Sequence, residues 1–528
     1  MSSSRDGGPR LSRRRLLQAA GVAGAGAALP LAAAGCGLGD DGAGDGEPEN
    51  VVLLIVDTLR PDFVGAYGAP RMRTPNFDRL IASGLRFNRA YPEAMVTVPA
   101  RRSIFTGQRI FPYRDFKPIA DLGISPGWTG IDDLDRTLMK TLKDAGYRTI
   151  QVTDNPHTGF TQTYKPFRLS WDTFVSIEGR TGTRNPPETV SDAEVRRWLP
   201  KELRDDERYV VGMKKNLANT GYGRDDSESD AARVFGEAAD QLSDAARSGE
   251  KFALVVDCFD PHEPWSPPKE YIDLYGDPSY EGPEIGVLDY GPAGYMSKDE
   301  LRRAHADYAA AVTMTDRWLG TFLDRFEELG LADNTAIVLL SDHGVLLGER
   351  GWVGKIPGEL HPEMAQVPFA IVHPAGKRAG ESSDYFASTH DVAPTILSML
   401  GIEPPRWMNG ADLSLLLDSS RGAGERQPEA RPFHYGGMYN RYYIRTDQWV
   451  LLGDTLGGNR QLFDLTLDPG EWRDVATASR ANRRLTEELY QQVIEATGGE
   501  PLPYYDDEKL QAQLAAAREK AGFVDPTP

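Results

Sequence analysis

Histidine and cysteine are scarce in this chain, 8 and 2 among 528 residues. Two cysteines exclude a disulfide-stapled scaffold and a Cys-rich zinc site. Positive charge is also in deficit: 59 Lys and Arg stand against 78 Asp and Glu, a net charge of −19. That balance argues against a nucleic-acid partner, because phosphate backbones are held by clustered Lys and Arg. The same acidity can serve solubility, at high salt as well. Beyond residue 35 no stretch reaches ~18 consecutive apolar residues, so none reads as a membrane span. The 40% apolar and 26% charged content fits a folded chain with a sizeable core. A site in such a chain is expected to use oxygen ligands with a few imidazoles.

The N-terminus reads as an address. Ser12-Arg-Arg-Arg-Leu-Leu17 opens an Ala/Gly-rich apolar run that extends to Gly35, the charged and hydrophobic regions of an export signal. The arginines resemble a twin-arginine signal. Leu31-Ala-Ala-Ala-Gly-Cys36 resembles a lipoprotein cleavage box, with Ala33 where a larger aliphatic residue is usual. Residues 1–35 are therefore read as an export signal and 36–49, rich in Gly and Asp, as a flexible tether. The expected location is the cell surface or periplasm, with a lipid on Cys36 as membrane anchor.

The body alternates short apolar runs with amphipathic segments. Val51–Val56 ends at Asp57, Phe252–Val256 at Asp257, and Thr335–Leu340 at Ser341-Asp342; Phe369–Val372 is a fourth run. Runs without polar alternation predict strands buried on both faces, as in a parallel sheet covered by helices. Leu301–Leu329 has helical periodicity, with Tyr308, Val312, Leu319, Phe322 and Phe326 toward the core. A short helix is predicted over Asp391–Leu400. The fold class is α/β, and in such sheets ligands sit beyond the C-terminal strand ends. Asp57, Asp257 and Asp342 share that edge, which points to a cation. A domain over 50–417 is followed by a linker around Asp418–Pro432, a small α+β domain over 433–500 and a tail, 501–528. Residues 155–235 read as an excursion over the sheet, and Asp260–Lys298 as a long ordered loop.

Several motifs occur in a fixed order. Asp57-Thr-Leu-Arg-Pro-Asp62 precedes Gly65-Ala-Tyr-Gly68, and Thr74–Gly84 follows. Thr97-Val-Pro-Ala-Arg101 leads into Gly107, and Phe259-Asp-Pro-His-Glu-Pro-Trp265 lies further on. Ser341-Asp-His-Gly344, Gly348-Glu349 and Gly354-Lys355 come next, then Asp391–Leu397 and Leu462–Glu471. Together they resemble the sulfatase family of the alkaline-phosphatase superfamily. The resemblance implies a large, doubly wound, mostly parallel sheet flanked by helices, with a small α+β C-terminal domain. It also implies hydrolysis of an anionic sulfate or phosphate ester, of a glycan or lipid headgroup for example, with a divalent metal.

The residue types suit that chemistry. A sulfate or phosphate ester is negatively charged and resists an anionic attacker, and a divalent cation offsets that charge and acidifies a bound hydroxyl. Asp57, Asp342 and His343 are the expected metal ligands, with the Thr97 oxygen as the fourth. Carboxylates and an imidazole admit Ca, Mg, Mn or Zn. Thr97 is the candidate nucleophile. Arg101, one helical turn on, would offer a guanidinium fork to the tetrahedral anion. His262 and Lys355 are candidates for assisting the leaving oxygen. His361 and His390, with Asp260 or Asp257, are candidates for a second metal site.

The sequence also departs from the family pattern. Sulfatases usually carry Cys or Ser matured to formylglycine where this chain has Thr97. Thr58 replaces the second of two adjacent metal-binding aspartates. A Lys–His pair expected near Thr153–His157 is reduced to His157. His343 stands where Asn is frequent. A threonine nucleophile with Asp-His ligation looks like the phosphoglycerol and phosphoethanolamine transferases of the superfamily, so a transferase of the cell envelope is the alternative enzyme. A glycan- or ester-binding lipoprotein without catalysis is the non-enzymatic alternative.

Overall fold

A computed structural model describes residues 46–114, 116–180, 182–221, 224–418 and 429–521. The export signal, most of the tether and Cys36 lie outside them. Among the described residues no helix is long and apolar enough to cross a membrane.

The strands, in chain order, are β1 (Asn50–Val56), β2 (Leu85–Ala90), β3 (Arg148–Thr153), β4 (Thr173–Ser176), β5 (Phe252–Cys258), β6 (Gly291–Pro292), β7 (Thr335–Leu340), β8 (Leu346–Leu347), β9 (Trp352–Gly354), β10 (Phe369–Val372) and β11 (Glu381–Ala387). Four more close the chain: β12 (Phe433–Met438), β13 (Arg441–Thr446), β14 (Trp449–Asp454) and β15 (Gln461–Asp464). Eight form the main sheet, in the order β11-β2-β10-β7-β1-β5-β3-β4. Every pairing in it is parallel except the two made by β10, which runs against both β7 and β2. The apolar run Phe369–Val372 thus belongs to the buried sheet as expected, but in the reverse direction.

The central strands are apolar on both sides because both sides are covered. Val52, Leu54 and Val56 of β1 face one core and Val51, Leu53 and Ile55 the other, the two-residue period of a strand. The first core is closed by the helices Asp230–Ser248 and Lys298–Glu328. Tyr308, Val312, Leu319, Phe322 and Phe326 are all buried there, as the periodicity predicts. The second core is closed by Thr97–Thr106, Leu138–Asp144 and Val392–Met399. Layers on both faces make the sheet doubly wound. In register, Ile55 of β1 lies beside Asp257 of β5 and Leu340 of β7. The three adjacent strands therefore deliver Asp57, Asp257 and Asp342 to one edge.

The segment 155–235 is less irregular than its composition suggests: it holds β4, at the sheet margin, and several helices, including Glu207–Asn219. The second sheet is an antiparallel meander, β12-β13-β14-β15, with the helix Arg480–Ala496 against it through Leu489 and Val493. Within the expected tail, 501–528, Asp507–Ala521 is a helix with Leu510 and Leu514 buried.

A buried Arg445–Glu471 ion pair within this module reaches the main one through Leu360 and His361. Arg445 of β13 donates to Glu471 Oε1 at 2.5 Å and to the Leu360 carbonyl at 3.0 Å. His361 Nδ1 lies 2.8 Å from Glu471 Oε2. Burial alone would raise the Glu471 pKa, but the Arg445 charge and the hydrogen bonds from His361 and Arg445 hold it below its ordinary 4.5. A carboxylate depressed in the folded state contributes stability that is present above pH 4.5 and lost as pH falls through the folded pKa. Glu471→Gln strands the buried Arg445 charge, and urea titration at pH 7 should show a loss of ~3–5 kcal/mol. The gap to wild type should shrink below pH 4. An equal gap at pH 7 and pH 3 would contradict the pairing.

Candidate active site

The site begins where β1 ends. Asp57 is fully buried, and its backbone N–H donates to Cys258 O at 2.9 Å. Thr58 follows at φ 62°, a left-handed conformation that is costly for a β-branched residue. Its surroundings hold it there: Thr58 Oγ1 donates to Asp57 Oδ1 at 2.6 Å, its N–H to Asp342 Oδ1 at 3.0 Å, and Tyr308 OH donates to its carbonyl at 2.7 Å. Thr58 thus orients the carboxylates on both sides. The turn after β7 is equally constrained, since a Cβ on Gly344 would stand 2.1 Å from the Glu363 carbonyl. Glu349, from the Gly348-Glu349 motif, braces that turn by accepting from Arg60 and from Leu347 N–H, at 2.8 and 2.6 Å.

Thr97 opens the helix Thr97–Thr106, which stops at the left-handed Gly107 (φ 63°). Its side chain is aimed at His343, with Oγ1 3.3 Å from Nε2. The His343 Nδ1 lies 2.9 Å from Gly344 O, an N–H donating to a carbonyl. That leaves the Nε2 lone pair turned toward Thr97, the geometry of a metal-ligating imidazole. Burial lowers the His343 pKa and favours the neutral ring, while the Asp342 charge opposes that shift.

Arg101 departs from expectation. Its fork is not offered to an outside anion but is occupied within the protein. It donates to Asp257 through Nε and Nη2 at 2.9 and 2.6 Å, to Asp342 at 2.6 Å and to Asp57 at 3.0 Å. All four side chains are fully buried. Three carboxylates thus surround one guanidinium, and with His343 neutral the cluster carries excess negative charge. Burial first, and then the Asp342 charge, push the Asp57 pKa well up against the pull of Arg101. Asp57, Asp342 and His343 each offer a ligand atom within 4.8 Å of the others, the one such group among the described residues. Two carboxylates, an imidazole and uncompensated negative charge fit a divalent cation.

A second constellation faces this one. Lys355 Nζ donates to Glu263 Oε1 and Oε2 at 2.8 and 3.0 Å, to Tyr290 OH at 2.6 Å and to His262 Nε2 at 3.1 Å. Tyr290 OH also donates to Glu263. His262 Nδ1 lies 2.5 Å from Glu263 O, so the ring presents its Nε2 lone pair to Lys355. Burial and then the Lys355 charge hold the His262 pKa well below 6.5. His157 packs edge-on to Trp128 at 4.7 Å between centroids. Burial and then the Arg101 charge push its pKa down to about 4.

Among the described residues, the candidates for a second metal site are not brought together. His361 is paired with Glu471, and His390 Nε2 lies 3.4 Å from Arg109. Asp257 is held by Arg101 and Asp260 by Arg180. Their carboxylates and rings already have partners in four different places. Sequence reasoning missed Glu263, Tyr290 and Trp128. A signal existed for Tyr290: Gly354 precedes Lys355, and a Cβ there would lie 2.2 Å from the Tyr290 ring.

The family model described as Sulfatase matches residues 49–402, and the one described as N-sulphoglucosamine sulphohydrolase, C-terminal, matches residues 348–498. An arylsulfatase of Clostridium perfringens is 26% identical over 486 residues, covering 87% of this chain and 97% of that protein. An N-acetylglucosamine-6-O-sulfatase of Bacteroides thetaiotaomicron is 22% identical over 503 residues, 81% of this chain and 82% of its own length. The crystal structure of a phosphonate monoester hydrolase of Agrobacterium radiobacter superposes with a TM-score of 0.64 at 20% identity, over 88% of this chain and 96% of that one.

Mn, Ca, Zn or Mg, titrated singly, should raise the melting temperature, with one ion bound per chain at saturation. At a hundred times Kd the gain is about 2.7 kcal/mol. Asp342→Ala should abolish both the shift and the bound ion and stay folded, because Arg101 keeps Asp57 and Asp257 as partners. Full metal occupancy in that variant would refute the ligand set.

Proposed function

The chain belongs to the sulfatase family, and on that premise we propose that it is an exported, metal-dependent ester hydrolase with Thr97 as its nucleophile and a preference for phosphate over sulfate esters. The observation that carries this reading is the Thr97 hydroxyl at a helix N-terminus, 3.3 Å from His343 Nε2 and beside Asp57 and Asp342. Held by Asp57, Asp342 and His343, a divalent cation would supply charge neutralisation and a lower pKa for the Thr97 hydroxyl. Arg101 keeps the three aspartates in place, and the helix N-terminus adds backbone donors for the anion. Thr97 Oγ gives its proton to solvent and attacks phosphorus in line. The Thr97–phosphorus bond forms as the bond to the leaving oxygen breaks. Lys355, hydrogen-bonded to His262 Nε2, gives the departing oxygen its proton. Water then attacks phosphorus, frees the anion and restores Thr97.

The ester preference follows from the release step. A formylglycine hydrate has two hydroxyls, so its sulfated form can expel sulfate by breaking a carbon–oxygen bond. Threonine has one hydroxyl and no such route. Its ester must be cleaved at the central atom, a harder displacement for a sulfate than for a phosphate. With metal-loaded enzyme, steady-state turnover on matched aryl esters should favour phosphate mono- or diesters, leaving sulfate turnover slow or limited to a single cycle. Thr97→Ala should cost at least about a thousandfold, roughly 4 kcal/mol of barrier. Sustained sulfate turnover faster than that of every phosphate ester, with Thr97 unmodified by mass spectrometry, would overturn the reading.

Export and attachment rest on the sequence of residues 1–36. In a cell fractionation, the wild-type protein should partition with membranes and Cys36→Ala should be released. A wild type wholly soluble after export would exclude the lipid anchor.

A further inference from the structure

Behind the loop that carries His262 lies a buried assembly with no part in the chemistry above. Arg180 is 5% exposed. Its backbone N–H and its Nε–H both donate to Asp230 Oδ2 at 2.9 Å. Asp230 is the first residue of the helix Asp230–Ser248, and the next N–H, from Ala231, donates to Asp260 Oδ2 at 3.0 Å. Arg180 Nη2 donates to the other Asp260 oxygen. Its Nη1 donates to the His262 carbonyl and, at 3.2 Å, to the Pro264 carbonyl. The guanidinium carbon lies 5.5 Å from the centre of the Phe259 ring. Phe259 in turn stacks on the His262 imidazole, 4.1 Å between centroids and 19° from parallel. One planar cation therefore grips the loop at His262, two residues beyond it, and through the ring beneath it.

This arrangement is costly. Asp154, Asp230 and Asp260 are all buried around a single guanidinium, and Asp154 Oδ2 carries no hydrogen bond. Buried ion clusters contribute little net stability compared with apolar packing. What a planar fork provides that apolar packing does not is direction, with several N–H groups fixed at set angles. The object so fixed is a ring whose Nε2 must meet Lys355 Nζ at 3.1 Å.

We propose that Arg180 is a positioning residue for the reaction: through the two carbonyls and the Phe259 sandwich it fixes the His262 imidazole against Lys355, and so sets how well that pair assists the leaving oxygen. The proposal rests on the hydrolase reading given above.

The test uses the full, metal-loaded protein with Arg180→Lys, Phe259→Leu and His262→Ala, assayed on substituted phenyl esters of whichever class the wild type hydrolyses. Phe259→Leu strands no charge, so it tests the sandwich even if Arg180→Lys fails to fold. Proton assistance matters most for poor leaving groups. Both variants should lose at least ~10-fold on the phenyl ester but under ~3-fold on the 2,4-dinitrophenyl ester. Adding His262→Ala to either should cost nothing further, since coupled residues are not additive. An equal loss on every ester would reduce Arg180 to a structural brace and overturn the proposal. A second readout needs no turnover. Nitrogen-15 histidine spectra should show His262 of the wild type as the Nδ1–H tautomer, and both tautomers in the two variants. If the wild type hydrolyses no ester, the hydrolase reading falls, and an unchanged tautomer in the variants then overturns the bracing itself.

Discussion

The site depends on one buried cation. Arg101 binds three carboxylates that arrive from the ends of three adjacent strands, β7, β1 and β5. Each aspartate alone would resist burial as a charge. The guanidinium allows all three to sit beneath the surface within hydrogen-bonding distance of one centre. It does not neutralise them fully, and the remainder favours a second positive charge beside Thr97. Folding and ligand affinity are thus set by the same electrostatic excess. In this geometry the Arg101 donors face Asp57, Asp257 and Asp342.

Around that centre the fold separates duties. The strand ends and the helix Thr97–Thr106 supply Asp57, Asp342, His343 and Thr97, all nearly inaccessible: Thr97 is 3% exposed. The loop from Asp260 to Lys298 supplies His262, Glu263 and Tyr290, which converge on the buried Lys355. The second sheet touches neither set directly, but its Arg445 holds the Leu360 carbonyl and, with His361, the Glu471 carboxylate. That contact anchors the segment running back to Lys355.

Much of this was legible in the sequence, for identifiable reasons. Uninterrupted apolar runs announce strands covered on both faces, and a carboxylate just past such a run is placed by the strand itself. Asp57, Asp257 and Asp342 were therefore readable, as was the core face of Lys298–Glu328. The direction of β10 was not, because burial on both faces looks the same in either direction. Partner choice was also hidden. His361, His390 and Asp260 are residue types that bind metals, but whether they do depends on which Arg or Glu packs beside them from 80, 110 or 281 residues away. Glu471 and Arg109 settle that for the two histidines, and Arg180 for Asp260.

Thr58 bears on how the site can change over evolutionary time. It occupies a left-handed backbone position that Asp and Asn tolerate several-fold better than a β-branched residue does. Exchange for Asp would relieve the backbone and restore the paired aspartates of the family pattern at a stroke. It would also add a fourth buried carboxylate to a centre that is already too negative, and would remove the hydroxyl that donates to Asp57. At this position conformational ease and charge therefore pull in opposite directions.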